Sequence, residues 1–157
     1  MGTEPQQIVQ SAEEEFLKSK GFEMVYAVFD RDEHRTYATA IAMAAARDRK
    51  LTNDEKVPVS FEAIVSVPCF ELWLLLHFVN IMAPMHRHEA LAQLQRHLEG
   101  YQKGNNGIYA VTLPNLAIAT QRATTLKEEY SRLPGEDPYT DVHELVKVLR
   151  KLKNSKS

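Results

Sequence analysis

Two short, β-rich apolar runs, each followed by a helix-forming stretch, restrict this chain more than any other feature. The first run, MVYAVF (Met24 to Phe29), is apolar on both faces, as in a central strand of a parallel sheet. TYATAIAMAAARDRK follows, rich in Ala and without Gly or Pro, and predicts a helix. LTNDEKVP is a polar loop. The second run, VSFEAIVSV, is less uniformly apolar, and PCFELWLLLHF after it predicts a buried helix with Pro68 in its first turn. Strand, helix, strand, helix in this order makes the two strands parallel, because crossover connections are right-handed and pack their helix on the sheet. The class that follows is α/β.

The flanking segments read as helices. GTEPQQIVQSAEEEFLKSKG opens the chain with a capping box of Thr3 and Gln6, Pro5 in the first turn, an apolar face of Ile8, Ala12, Phe16 and Leu17, and Gly21 as its stop. After Asn80 the character changes. HRHEALAQLQRHLEG is amphipathic and ends at Gly100, YQKGNNG is a loop, and PNLAIATQRATTLKEEYSRL is a long helix broken by PGEDPY. TDVHELVKVLRKLKN closes the chain, with Thr140 as N-cap and lysines in its last turn. No repeat or low-complexity tract interrupts this order. One domain over 1–157 is expected, with an α/β part over 1–80 and a mainly helical extension over 81–157.

Composition sets the limits on chemistry. The chain has 157 residues, a net charge of −2 and a pI near 6.3, which argues against nucleic-acid binding through bulk charge but leaves room for a local basic surface or a bridging metal. Cys69 is the only cysteine, so neither an intrachain disulfide nor a four-cysteine zinc site can form. The longest apolar stretch, LWLLLHFVNIMAPM, is short for a membrane span and contains a histidine, and no leader-like segment opens the chain. A cytoplasmic protein with no membrane partner is the expectation.

Parallel strands deliver functional residues at their carboxyl ends. The first run ends in FDRDEH, which places Asp30 and Asp32 one residue apart, and Glu71 follows the second run within a few residues. If the strands are neighbours, three carboxylates converge on one edge of the sheet. Residues i and i+2 of an extended chain point to one side, so Asp30 and Asp32 aim together if extension persists past Phe29. Carboxylates with open positions suit magnesium or manganese. Acids after a strand also serve as turn and cap residues, and the pattern alone leaves both readings open. Glu71 shares a helical face with Leu74, Leu75 and Phe78, so its carboxylate needs a partner: a cation, a basic residue or the helix N-terminus. His77, beside Trp73, is a packed core histidine or a general acid, and His34 is turn surface or a phosphate contact. Cys69 reads as a small buried residue. His86 and His88 would point apart on a helix, so HRH marks a helix start and no metal site. The lysine-rich end is a solvated helix terminus or a nucleic-acid contact, and Tyr101 and Lys103 in YQK are ambiguous alone.

VYAVFDRDEH, SVPCFELWLLLHF, YQK and DPYTDVHELVKVL occur in the order in which similar segments occur in RloB-like proteins, and TEPQQIVQSAEEE resembles that family's segment after its first strand. The likeness spans nearly the whole chain. RloB-like proteins resemble the Toprim fold, a partly parallel sheet with flanking helices. The resemblance implies magnesium- or manganese-dependent cleavage of DNA or RNA phosphodiesters, with Asp30 and Asp32 matching metal ligands and Glu71 and His77 matching the second motif. It also implies a setting in prokaryotic restriction, phage-defence and abortive-infection loci, often beside an ABC-type ATPase. Two departures stand out. The glutamate that ends the first Toprim strand has no counterpart after an apolar strand here, and Glu4 is not assigned its role; Val67 stands where the family more usually has a polar residue. A missing strand would expose a sheet edge, open to pairing with a second copy. The leading expectation is a metal-dependent nuclease domain, incomplete at its start, with Asp30, Asp32 and Glu71 at the metal and Glu71, His77 and His34 as catalytic candidates. The rival is a non-catalytic defence component that docks an ATPase or senses a phage product. A small phosphate-binding module ranks last, since no Gly-rich loop is present.

Overall fold

A computed structural model describes residues 3–132 and 137–156, which fall into two compact units, 1–64 and 65–157. Three strands form one sheet in the order β1-β2-β3, in which β1 (Met24–Asp30) and β2 (Ser60–Val67) are the parallel pair and β3 (Tyr139–Thr140) is antiparallel to β2. The α/β class, the flanking helices and the helical C-terminal half are those the sequence leads one to expect. Strand β2 runs across the division between the units.

In the first unit, α1 (Pro5–Ser19) packs on β1 and on α2 (Tyr37–Arg47). Glu4, not Thr3, is the N-cap of α1, so no capping box with Gln6 forms; the Gln6 amide instead donates to Thr36 Oγ1 at 3.5 Å. The left-handed residue that ends α1 is Lys20, at φ 53°, one place before the expected Gly21. Tyr37, Ala40 and Ala44 are buried at helical spacing on α2, and the small alanines let it pack closely. The Tyr37 ring meets Phe29 edge to face at 6.0 Å. Arg47 Nε donates to Glu13 at 2.6 Å and joins the two helices.

Strand β1 corrects one expectation. It lies at an end of the sheet order, and although Ala27 and Phe29 are buried, Val28 between them is 45% exposed. The covered central strand is β2, in which every residue but Glu62 is buried. Its Ser and Glu obscured that in the sequence.

The second unit begins within β2 and continues into α3 (Phe70–Leu75), buried along its length except for Phe70. The Val67–Pro68 bond is cis and Cys69 is an extended N-cap, so Pro68 stands before the helix and not in its first turn. Helix α4 (Arg87–His97) follows, then α5 (Ile108–Thr112), a 3₁₀ turn over Leu113–Asn115 and α6 (Leu116–Glu129). The long helix expected from residue 114 is thus shorter, and a short α-helix and a tighter 3₁₀ turn precede it. The break expected at PGEDPY lies partly outside the described residues. Strand β3 pairs Thr140 with Ser66 and Tyr139 with Val67. Thr140 therefore belongs to the sheet, and Asp141 takes the N-cap place of α7 (Val142–Ser155). Among the described residues, no helix is long and apolar enough to cross a membrane.

Candidate functional site

The acidic loop forms where β1 stops. Asp30 is the last residue of the strand, and the chain then turns, with the His34 amide donating to the Arg31 carbonyl at 3.0 Å. Asp32 adopts φ 43°, a left-handed conformation that Asp tolerates better than most side chains. Extension therefore ends at Asp30, and simple alternation does not bring the two aspartates to one side. Any joint action comes from the turn. Both are half-buried.

Glu4, at the N-terminus of α1, reaches this loop from thirty residues away. Its Oε1 lies 3.0 Å from His34 Nδ1, and its Oε2 accepts from Thr36 Oγ1 at 2.7 Å. The hydrogen bonds from Thr36 and His34 hold the Glu4 carboxyl below its ordinary pKa. A carboxylate at Nδ1 favours the proton there, which leaves His34 Nε2 as the acceptor nitrogen of the neutral ring. Sequence reasoning set Glu4 aside because no strand precedes it. Its position at the start of a helix packed on the acid-bearing strand was the signal available.

Glu71 and His77 belong to the second unit. Glu71 is 2% exposed in the first turn of α3. Tyr101 Oη donates to its Oε1 at 3.3 Å, and Lys103 Nζ stands 3.8 Å from its Oε2. YQK thus supplies the partner that the carboxylate required. His77 is packed in the core: its Nδ1 faces the carbonyls of Trp73 and Leu74 at 3.0 and 3.2 Å, and its ring meets Trp73 edge to face at 4.7 Å. Burial pushes its pKa down, against those two carbonyls, so it is held as neutral imidazole.

A second buried carboxylate escaped the sequence reading. Asp141 is 1% exposed and accepts from Tyr139 Oη at 2.5 Å. Arg132 Nη2 is 3.2 Å from its Oδ2 and Lys127 Nζ 3.4 Å from its Oδ1. Its own amide donates to the Val65 carbonyl at 2.9 Å, fixing it beside β2. Ser66 and Thr140 share a hydroxyl bond of 2.9 Å alongside. Burial first, and the Asp141 carboxylate second, push the Tyr139 phenol up to about 12. DPYTDVHELV carried this cluster, but Asp141 read only as an acid in the first turn of the last helix.

The remaining candidates resolve simply. Cys69 is buried and free. His86 and His88 do not point apart; their rings stack at 4.9 Å, because His86 is an extended N-cap whose side chain accepts from the His88 amide. HRH is a helix start as expected. Among the described residues no group of three or more His, Cys, Asp or Glu is gathered as a metal-holding cluster. The donor chemistry at the end of β1 nevertheless suits a hard cation: a half-buried carboxylate at the strand end and another in the turn are the hard oxygen donors such an ion takes.

Comparison with known proteins gives one match. A family model described as RloB-like protein matches residues 1–149. No curated protein and no solved structure matches the chain.

Proposed function

The chain belongs to the RloB-like family, and from that premise we propose that it is a metal-dependent phosphodiesterase acting on nucleic acid in prokaryotic defence, with its chemistry at the loop that closes β1. The observation that supports this most is the tie of Glu4 to His34 beside Asp30 and Asp32. Acids at the carboxyl end of a parallel strand, with a histidine whose Nδ1 faces a carboxylate, form a usable acid–base arrangement.

Asp30 and Asp32 are the residues that would hold magnesium or manganese. Bound there, the cation would supply charge stabilisation at the phosphoryl oxygens and an acidified water. The chain's own groups do the rest. His34 Nε2 accepts the proton of the attacking water as the new O–P bond forms. As the ester P–O bond breaks, the leaving oxygen takes a proton from solvent water, and the imidazolium then returns its own proton to solvent. Glu4 holds Nδ1 throughout and stabilises the imidazolium between the two transfers.

The test is cleavage of labelled single-stranded and double-stranded DNA and RNA by the full chain with magnesium or manganese. Asp30→Asn should lower the rate by about a hundredfold or more, as expected when a charge-stabilising group is lost. Calorimetry should show divalent-ion binding that Asp30→Asn abolishes. Absence of metal binding, or an Asp30→Asn variant as active as wild type, would remove this reading.

A further inference from the structure

The second unit carries an open groove of about 730 Å³ between α7 and the segment formed by the 3₁₀ turn and α6. Leu113, Leu116 and Val146 supply apolar walls, Lys147 and Arg150 supply cationic ones, and the buried His143 lies at its edge. The apolar surface continues along α7. Val146, Leu149 and Leu152 recur every three residues, and the last two are 56% and 49% exposed. Arg150 reaches back across the groove, where its Nη1 lies 3.5 Å from the Tyr109 hydroxyl, and both Tyr109 and Val111 are exposed.

Two properties of this surface together select an occupant. Exposed leucines in a row, continuous with an apolar groove, mark a surface that another molecule covers. Charge narrows the choice. After Glu144 the sequence carries Lys147, Arg150, Lys151, Lys153 and Lys156 and no acid. A second copy meeting this surface through its own would set those cations against each other. A nucleic-acid strand would answer the cations but leave Leu149 and Leu152 in water. An amphipathic helix answers both, with its apolar stripe in the groove and its flanking acids against Lys147 and Arg150.

We propose that the α6–α7 groove is the docking site for an acidic amphipathic helix of a partner protein. The groove shares no residue with the acidic loop, so the proposal stands or falls independently of the phosphodiesterase reading.

The experiment is selection from a displayed library of helical peptides on the immobilised full chain, followed by binding measurements with the synthetic consensus peptide. Enriched peptides should carry apolar residues at helical spacing flanked by Asp and Glu. The double variant Lys147→Glu/Arg150→Glu should weaken the consensus peptide by about tenfold or more, and a version of the peptide with Lys for its acids should then bind the double variant better than the wild type. Leu149→Ser should weaken both pairs. The three substituted side chains are exposed, so circular dichroism should report an unchanged fold. Three outcomes overturn the proposal: enriched peptides that are neutral or basic; binding indifferent to the charge reversal; or a fluorescein-labelled single-stranded oligonucleotide, or phosphatidylserine vesicles, displacing the peptide from Lys147 and Arg150.

Discussion

The carboxylates of the two units live in opposite conditions. In the second unit Glu71 and Asp141 are almost wholly buried; each is met by a tyrosine hydroxyl, Glu71 also by Lys103 and Asp141 by Lys127 and Arg132. In the first unit Asp30 and Asp32 are half-buried on a strand end and a turn, and Glu4 is held by a histidine and a threonine at a partly exposed helix start. Removing an ionised carboxylate from water costs several kcal/mol unless neighbours compensate. The buried pair therefore depends on those neighbours to stay ionised. Acids that are only half-buried keep part of their surface within reach of solvent. Sequence spacing treats Glu71 and Asp30 alike; burial separates them.

That contrast breaks most visibly at Asp141. Asp141→Ala leaves the buried Tyr139 hydroxyl without its acceptor, while Arg132 and Lys127 are about a third exposed and Lys127 keeps Glu144. Leaving a buried polar group unsatisfied costs about 1–3 kcal/mol. Urea unfolding of the variant should show a loss of that order. A loss below about 1 kcal/mol would mean that Lys127 and Arg132 are effectively solvated and that the cluster behaves as surface.

Glu71 sharpens the comparison, because structure and chemistry both have a claim on it. Tyr101→Phe leaves Glu71 Oε1 without its phenol donor and should cost about 1–3 kcal/mol by the same measurement. Glu71→Gln keeps the shape and the acceptor oxygen. If the carboxylate is structural, Glu71→Gln should lose stability with activity per folded molecule preserved. If its charge serves the reaction, activity should fall by more than the folded fraction does.

The buried clusters also set how stability depends on pH. The Tyr139 phenol titrates in the folded chain at about 12 against an ordinary value of 10.0. Its folded pKa is raised, so the unfolded chain releases the proton first, and stability is lost as pH rises from about 10 towards 12. Tyr139→Phe should flatten that decline. At the acid side, burial lowers the pKa of His77 and of His143. The unfolded chain then binds protons first, and stability falls as pH drops below 6.5. Thermal unfolding followed across both ranges reads the two limbs.

Much of this fold was legible because it is written in long periods. The parallel pair followed from two apolar runs joined by an Ala-rich helix, and it holds although β1 proved the less covered strand. What escaped is short or non-local. Strand β3 has two residues, too few for any periodicity, and it is defined by pairing with Ser66 and Val67 more than seventy positions away. The same long closure brings Asp141 to Val65. In the acidic loop the residues were visible but their geometry was not. Asp and Gly share a tolerance for positive φ, and nothing in FDRDEH announces that Asp32 uses it. Glu4 was visible as a residue and hidden as a neighbour, since a helix start and a turn thirty positions later meet only when α1 packs on β1 and α2.

Glu4 carries the smallest expected effect on stability and the one that tests the first unit most directly. The side chain is partly exposed, and its depressed pKa reflects bonds from Thr36 and His34, so it contributes stability above pH 4.5 that fades as pH falls through the lower folded value. Glu4→Gln keeps an acceptor for Thr36 and should leave the unfolding midpoint nearly unchanged. What it removes is the negative charge against His34 Nδ1. If His34 exchanges the proton in phosphodiester cleavage, loss of that charge removes the partner that orients its ring, and the cleavage rate should fall while the fold is kept. His34→Gln should lower the rate further, and adding Glu4→Gln to it should change nothing more, because the two act as one unit. A Glu4→Gln variant as active as wild type would reduce the Glu4–His34 bond to a strap between the helix start and the loop, and proton transfer would then belong elsewhere.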